Sequence, residues 1–101
     1  MAEAYKLLGN VLLGVAATTI YTVPGTTAVI VRHIVVTSTQ DNQNVVVNGP
    51  SSAPIIGACL LNNGEWAEWD GALTLAAAAV IQGLTTTANG VRAAAYGVEI
   101  T

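Results

Sequence analysis

Few side chains in this sequence could do chemistry. His33 is the only histidine and Cys59 the only cysteine. A zinc site takes three or four His, Cys or carboxylate ligands at recognisable spacing, and one His plus one Cys falls short of those patterns. No metal and no cofactor is therefore expected. Cys59 has no basic neighbour in sequence to stabilise a thiolate, so it reads as a small buried hydrophobe. Without a second cysteine the fold rests on no intrachain disulfide. His33 lies among apolar residues and reads as a structural or interface imidazole.

Glu65, Glu68 and Asp70 cluster around Trp66 and Trp69. Paired carboxylates serve glycoside hydrolysis, but that chemistry needs a cleft lined by many groups. A chain this small and apolar is not expected to build one. The cluster reads as a polar loop carrying two anchoring indoles, because tryptophan is enriched at interface hot spots. A carbohydrate-stacking platform is the alternative use of the same two rings. Asp41-Asn42-Gln43-Asn44 lacks the Gly and terminal Glu of a calcium loop and reads as a solvated hairpin tip. No phosphate loop or Gly-x-Ser-x-Gly elbow is present. A single histidine without a matching nucleophile and orienting group cannot fill the roles of covalent catalysis. No catalytic residue and no enzymatic activity are expected.

The 101 residues suit one domain, 1–101. Charged residues make up 9%, against roughly 25% in ordinary soluble domains. Hydrophobic residues make up 52%, drawn from Ala, Val, Leu and Ile with no Phe. So few charges cannot cover a lone monomer, which predicts a subunit that hides surface in an assembly. The net charge is −3 with three Lys and Arg, too few for a phosphate-tracking groove or a basic membrane-surface helix. Neither nucleic acid nor membrane is an expected partner. The longest apolar run, Leu75 to Ile81, is far short of the roughly 18 residues of a spanning helix. Lys6 and the apolar stretch to Ala17 faintly resemble a signal peptide, but Glu3 and Asn10 stand where basic and apolar residues belong.

The elements that must position these side chains are short strands. Asn-Gly occurs at Asn48-Gly49, Asn63-Gly64 and Asn89-Gly90, and the dipeptide favours type I′ hairpins. Gly9-Asn10, Pro24-Gly25, Asp41-Asn42, Pro54 and Asp70-Gly71 mark further corners. Between them lie nine runs of strand length: Tyr5–Leu8, Val11–Val15, Thr18–Val23, Ala28–Thr39, Asn44–Val47, Ile55–Leu61, Leu73–Leu75, Val80–Thr85 and Val91–Ile100. The four alanines from Ala76 to Ala79 favour helix, but their β-type neighbours predict strand, turn and strand there. In the last strand Arg92, Ala94, Tyr96, Val98 and Ile100 form one face. The other face, Ala93, Ala95, Gly97, Glu99 and Thr101, is small enough for another sheet or subunit to approach. The strand from Ala28 is apolar on both faces, which predicts cover on both sides. Strict alternation puts Arg32 and His33 on opposite faces, each available to a different layer. The fold class expected is all-β, a single-domain antiparallel β-sandwich of jelly-roll-like form. Residues 1–13 are a candidate N-terminal arm or edge strand.

Three segments carry a resemblance: Ala4-Tyr5-Lys6-Leu7-Leu8-Gly9, Ile20-Tyr21-Thr22-Val23-Pro24 and Tyr96-Gly97-Val98-Glu99-Ile100-Thr101. In order and spacing the chain resembles small β-sandwich virion structural proteins of tailed bacteriophages. It departs from them at Ala78-Ala79, where they often keep a Gly-Asp turn, and in the shorter corner Pro24-Gly25-Thr26. The resemblance implies a capsid decoration (cement) protein bound to the outside of the head, with the major capsid protein as partner. It further implies a homo-oligomer, expected to be a trimer, made in the host cytoplasm. A tail, baseplate or fibre component is the alternative within the virion. A carbohydrate-binding module for host adsorption is the alternative outside that class. Tyr5, Arg32, His33, Trp66 and Trp69 are the residues expected at the protein interface.

Overall fold

The structure, a computed structural model, describes residues 3–25, 27–50 and 53–100. Ala2 of the candidate arm, Thr26 of the corner and Thr101 of the last strand lie outside the described residues. Eight strands follow in order: β1 (Glu3–Leu12), β2 (Thr18–Thr22), β3 (Ala28–Ser38), β4 (Gln43–Asn48), β5 (Pro54–Leu61), β6 (Trp66–Leu75), β7 (Val80–Leu84) and β8 (Val91–Ile100). They form two four-stranded sheets, ordered β1-β8-β3-β6 and β2-β7-β4-β5. Every pairing is antiparallel. Apart from the β4–β5 hairpin, each connection carries the chain from one sheet to the other. That is the strand order of a jelly roll, the expected class of sandwich.

The strand count of nine needs correction. Tyr5–Leu8 and Val11–Leu12 belong to one strand, β1, whose register slips between Leu7 and Gly9, and Leu13–Val15 lie beyond its end. Leu8 is the bulged residue; Gly9 and Asn10 pair with Ala95 and Ala94 within the strand and form no corner. Trp66 to Asp70, expected as a polar loop, is the first half of β6. The alternation of Trp66, Glu68 and Asp70 with Ala67 and Trp69 is the period of a strand. The turn after Leu75 is as expected, with β7 beginning at Val80 and no helix between.

None of the Asn-Gly pairs forms a type I′ turn. Gly64 and Asn89 take positive φ, but Asn63 and Gly90 do not, and neither does Asn48 or Gly49. A type I′ turn joins neighbouring strands of one sheet. Asn63-Gly64 and Asn89-Gly90 instead sit in connections that change sheets.

Inward side chains from both sheets meet in one core. Val29, Val31, Ile34 and Val36 of β3 face Ile20, Val45, Val47 and Ile81, all buried. Each such side chain is worth about 1.5–3 kcal/mol when fully buried. Ala93 and Ala95 of β8 are also core residues. The alanine-lined face is thus occupied by the protein's own second sheet.

Along β3, burial changes phase. Val31 pairs with Gly97 and Leu73, while the next paired residue, His33, meets Tyr96 and Asp70. Arg32 is passed over by both neighbouring strands, a β-bulge. Odd residues point inward before it (Val29, Val31) and even ones after it (Ile34, Val36, Ser38). The two-sided apolar pattern read from the sequence is therefore a one-sided strand with a phase slip. Arg32 and His33 do not point to opposite faces; both lie outward. Gly97 makes room for the bulge. A Cβ there would stand 2.3 Å from the Ile30 carbonyl oxygen, far inside contact distance.

Two polar groups close the sandwich. Gln43 is 2% exposed and is not part of a solvated tip. Its amide nitrogen donates to Asp41 O and Thr87 Oγ1 at 3.0 and 3.2 Å. Its oxygen accepts from Thr85 Oγ1 and Thr87 N at 3.0 and 2.9 Å. All four hydrogen-bonding positions of the amide are thereby used. Elsewhere, Glu99 pairs with Lys6 and accepts the Tyr21 hydroxyl at 2.8 Å. The Lys6 and Tyr21 hydrogen bonds hold the Glu99 carboxyl below its ordinary range. Burial, then the neighbouring carboxylate, pushes the Tyr21 phenol well above its ordinary value.

Candidate functional site

The outward face of sheet β1-β8-β3-β6 collects the polar and aromatic side chains that the core does not use. Register sets its rows. Leu7, Tyr96, His33 and Asp70 share one row, and Asn10, Ala94, Val35 and Glu68 the next. Tyr5, Val98 and Ile30 continue the face on the other side. Cross-strand neighbours in such rows stand close enough for direct contact.

His33 is held in the centre. Its Nδ1 lies 2.5 Å from Asp70 Oδ1 and its Nε2 lies 3.7 Å from Glu68 Oε2. The ring is tilted against Tyr96 with centroids 6.0 Å apart. The side chain is 25% exposed, against 45% for Glu68 and 73% for Asp70. Both carboxylates come from one edge strand at alternate positions, and the imidazole comes from its partner strand. Beside His33, paired irregularities in β3 and β6 leave an open depression of about 590 Å³. Tyr5, Arg32, His33, Asp70, Ala72 and Val98 line it, with Gly71. Lys6 pairs with Glu99 and Arg92 donates to Asn10 Oδ1 at 2.8 Å. Among the described residues Arg32 has no carboxylate partner.

Large apolar side chains rim this face. Tyr5 is 62% exposed, Leu7 47% and Leu12 40% along β1, and Trp66 62% on β6. The Trp66 indole N–H donates to Glu68 Oε1 at 3.1 Å, which keeps the ring beside the carboxylate.

Of the residues singled out from the sequence, Tyr5, Arg32 and His33 come together at the depression. Trp66 lies on the same face, one strand edge away. Trp69 does not join them. It pairs with inward-facing Ile34 and packs against the core. The two indoles stand on opposite faces of β6 and cannot form a shared stacking platform. Glu68 and Asp70 were legible as a polar cluster but not as partners of His33. Their alternate spacing was the available signal. Cys59 is half-buried on β5, packed against the core.

No protein-family model matches the chain, and no curated protein matches it. Among solved structures it is similar to a chain of the T13 IBDV viral particle, with a TM-score of 0.59 at 9% sequence identity. The match is one of fold. It covers 97% of this chain and 31% of that one, so the protein spans about a third of the viral chain it matches.

Proposed function

We propose that this protein is a non-enzymatic virion structural subunit, a capsid decoration (cement) protein of a phage head. On this reading it binds the outer surface of the assembled shell and bridges neighbouring major capsid subunits. The observation that carries the reading is the outward face of sheet β1-β8-β3-β6. Tyr5, Leu7, Leu12 and Trp66 are exposed there around Arg32 and His33, although the opposite face already supplies the core. Tyr, Trp and Arg are the residue types enriched where interfaces concentrate their binding energy. The jelly-roll order, the likeness in fold to a viral particle chain and the sequence resemblance to phage virion proteins support the same reading.

The physical logic is multivalent. Many copies on a lattice need only modest individual contacts, because simultaneous attachment raises avidity. A protein that binds the assembled shell and not its loose subunits stabilises the shell by linkage. The low charge favours close packing between copies, and a homotrimer is the proposed state. After synthesis in the host cytoplasm the protein would reside on the virion exterior.

Co-sedimentation with expanded heads and with free capsid subunits tests the proposal. Saturable binding to heads alone is expected. Equal binding to both would remove the cement role, and location on the tail in a virion map would move the protein to another part of the particle.

A further inference from the structure

The His33 cluster combines geometry that hydrogen bonding alone leaves incomplete. Donor atoms of His33, Glu68 and Asp70 all lie within 4.8 Å of one another. His33 Nδ1–H donates to Asp70 Oδ1 at 2.5 Å. In the neutral ring that leaves Nε2 as a bare lone pair. Nε2 faces the Glu68 carboxylate, itself an acceptor, across 3.7 Å. That gap exceeds an N–H···O hydrogen bond, which spans about 2.7–3.2 Å. It is close to the separation, about 3.4 Å, of two ligand atoms on a tetrahedral ion with bonds near 2.1 Å. A carboxylate on the far nitrogen of a metal-binding histidine is the usual means of fixing the ring and raising its basicity.

We propose that His33 Nε2 and a Glu68 carboxylate oxygen bind a divalent transition metal of the zinc class on the outward sheet face. Asp70 is the positioning residue, holding the imidazole through Nδ1. Imidazole selects this class over magnesium and calcium, which take all-oxygen ligand sets. The sheet supplies rigidity, since the three residues sit on two hydrogen-bonded strands in fixed register. Water fills the remaining coordination positions, so the site is a surface site of modest affinity. The inference stands independently of the capsid role.

Untagged protein titrated with zinc chloride at neutral pH tests it. Calorimetry is expected to show one zinc per chain, bound at submillimolar metal and not displaced by excess magnesium. Since His33 is the only histidine, its ring nitrogens are the only imidazole signals in a ¹⁵N spectrum. Zinc should shift Nε2 far more than Nδ1. His33→Gln and Glu68→Gln should each abolish the stoichiometric step. Asp70→Asn should keep it with affinity weakened about 10–100-fold. All three side chains point outward, and melting temperatures of the variants measured in EDTA establish that they fold. No binding at millimolar zinc, binding unchanged in His33→Gln, or equal affinity for magnesium would each overturn the proposal. Unchanged affinity in Asp70→Asn would remove the role given to that residue.

Discussion

His33 and Asp70 face each other across β3 and β6 on the outward side of the sandwich, with Nδ1 2.5 Å from Oδ1. The contact exists because the chain passes over Arg32. Had β3 continued in the register of Val29 and Val31, His33 would point into an apolar core, where an unpaired imidazole is costly. One bulged residue thus moves a titratable ring from the interior to a surface shared with Arg32, Tyr5 and Trp66.

Gly97 is the structural condition for that bulge. A methyl group there would meet backbone atoms, the Ile30 oxygen at 2.3 Å and the Val31 Cα at 3.0 Å. Backbone cannot rotate away as a side chain can. Gly97→Ala is expected to destabilise the fold by about 1–3 kcal/mol, as overpacking does. Urea unfolding measures it, and an unchanged midpoint would show that the bulge does not depend on this glycine.

Ala78 carries a local strain that substitution can relieve. It has φ of 68° as the third residue of the turn closed by Ala79 N to Ala76 O at 3.1 Å. With positive φ at that position alone, this is a type II turn, which favours glycine there. An alanine in the left-handed region costs roughly 1–2 kcal/mol, partly offset in a glycine variant by greater unfolded-chain entropy. Ala78→Gly is expected to stabilise by about 0.5–1 kcal/mol and to raise the melting temperature by a few degrees. A lower melting temperature would contradict this account of the turn.

Gln43 ties β4 to the segment after β7. Gln43→Leu leaves the Thr85 hydroxyl and the Thr87 N–H without their acceptor. Thr85 is 2% exposed, so water cannot replace the lost partner there. The expected cost is about 2–4 kcal/mol, read by chemical denaturation. A cost below about 0.5 kcal/mol, the range of ordinary surface changes, would mean the network contributes little.

The Lys6–Glu99–Tyr21 group contributes to stability at both ends of the pH range. The Glu99 carboxyl is held low in the folded state, so its contribution is present above the ordinary carboxyl value. It is lost as pH falls through the lowered value. The Tyr21 phenol is raised, so its contribution is present below the ordinary value of about 10. It is lost as pH rises beyond that. Melting temperatures across pH should fall at both ends. Glu99→Gln should flatten the acid limb and Tyr21→Phe the alkaline one. Limbs of unchanged steepness in these variants would assign the pH dependence elsewhere.

Trp66 and Trp69 should separate by phenotype. Trp69 is half-buried against the core, so Trp69→Ala is expected to cost about 1–3 kcal/mol. Trp66 is exposed, and Trp66→Ala should leave stability within about 0.5 kcal/mol. On the proposed function it should weaken attachment to heads. Co-sedimentation at constant salt checks this, and full binding by Trp66→Ala would remove Trp66 from the interface.

Local sequence determined the all-β class and most of the strands. Val, Ile and Thr runs between Gly, Pro and Asn corners encode them through side-chain preference alone. The faces of β8 were also legible, because no bulge interrupts it and simple alternation holds from Val91 to Ile100. Tertiary structure alone decided the phase of β3, the union of the first two strand segments and the placing of Trp66 and Asp70 on one face. A bulge is specified by what the neighbouring strands allow. Arg32 can be skipped because Gly97 leaves space beside it and β6 is irregular at Gly71 and Ala72. The pairing of His33 with residues 35 and 37 positions later follows from that register. Alternation along one strand carries no information about it, because register is a property of two strands and the core between two sheets.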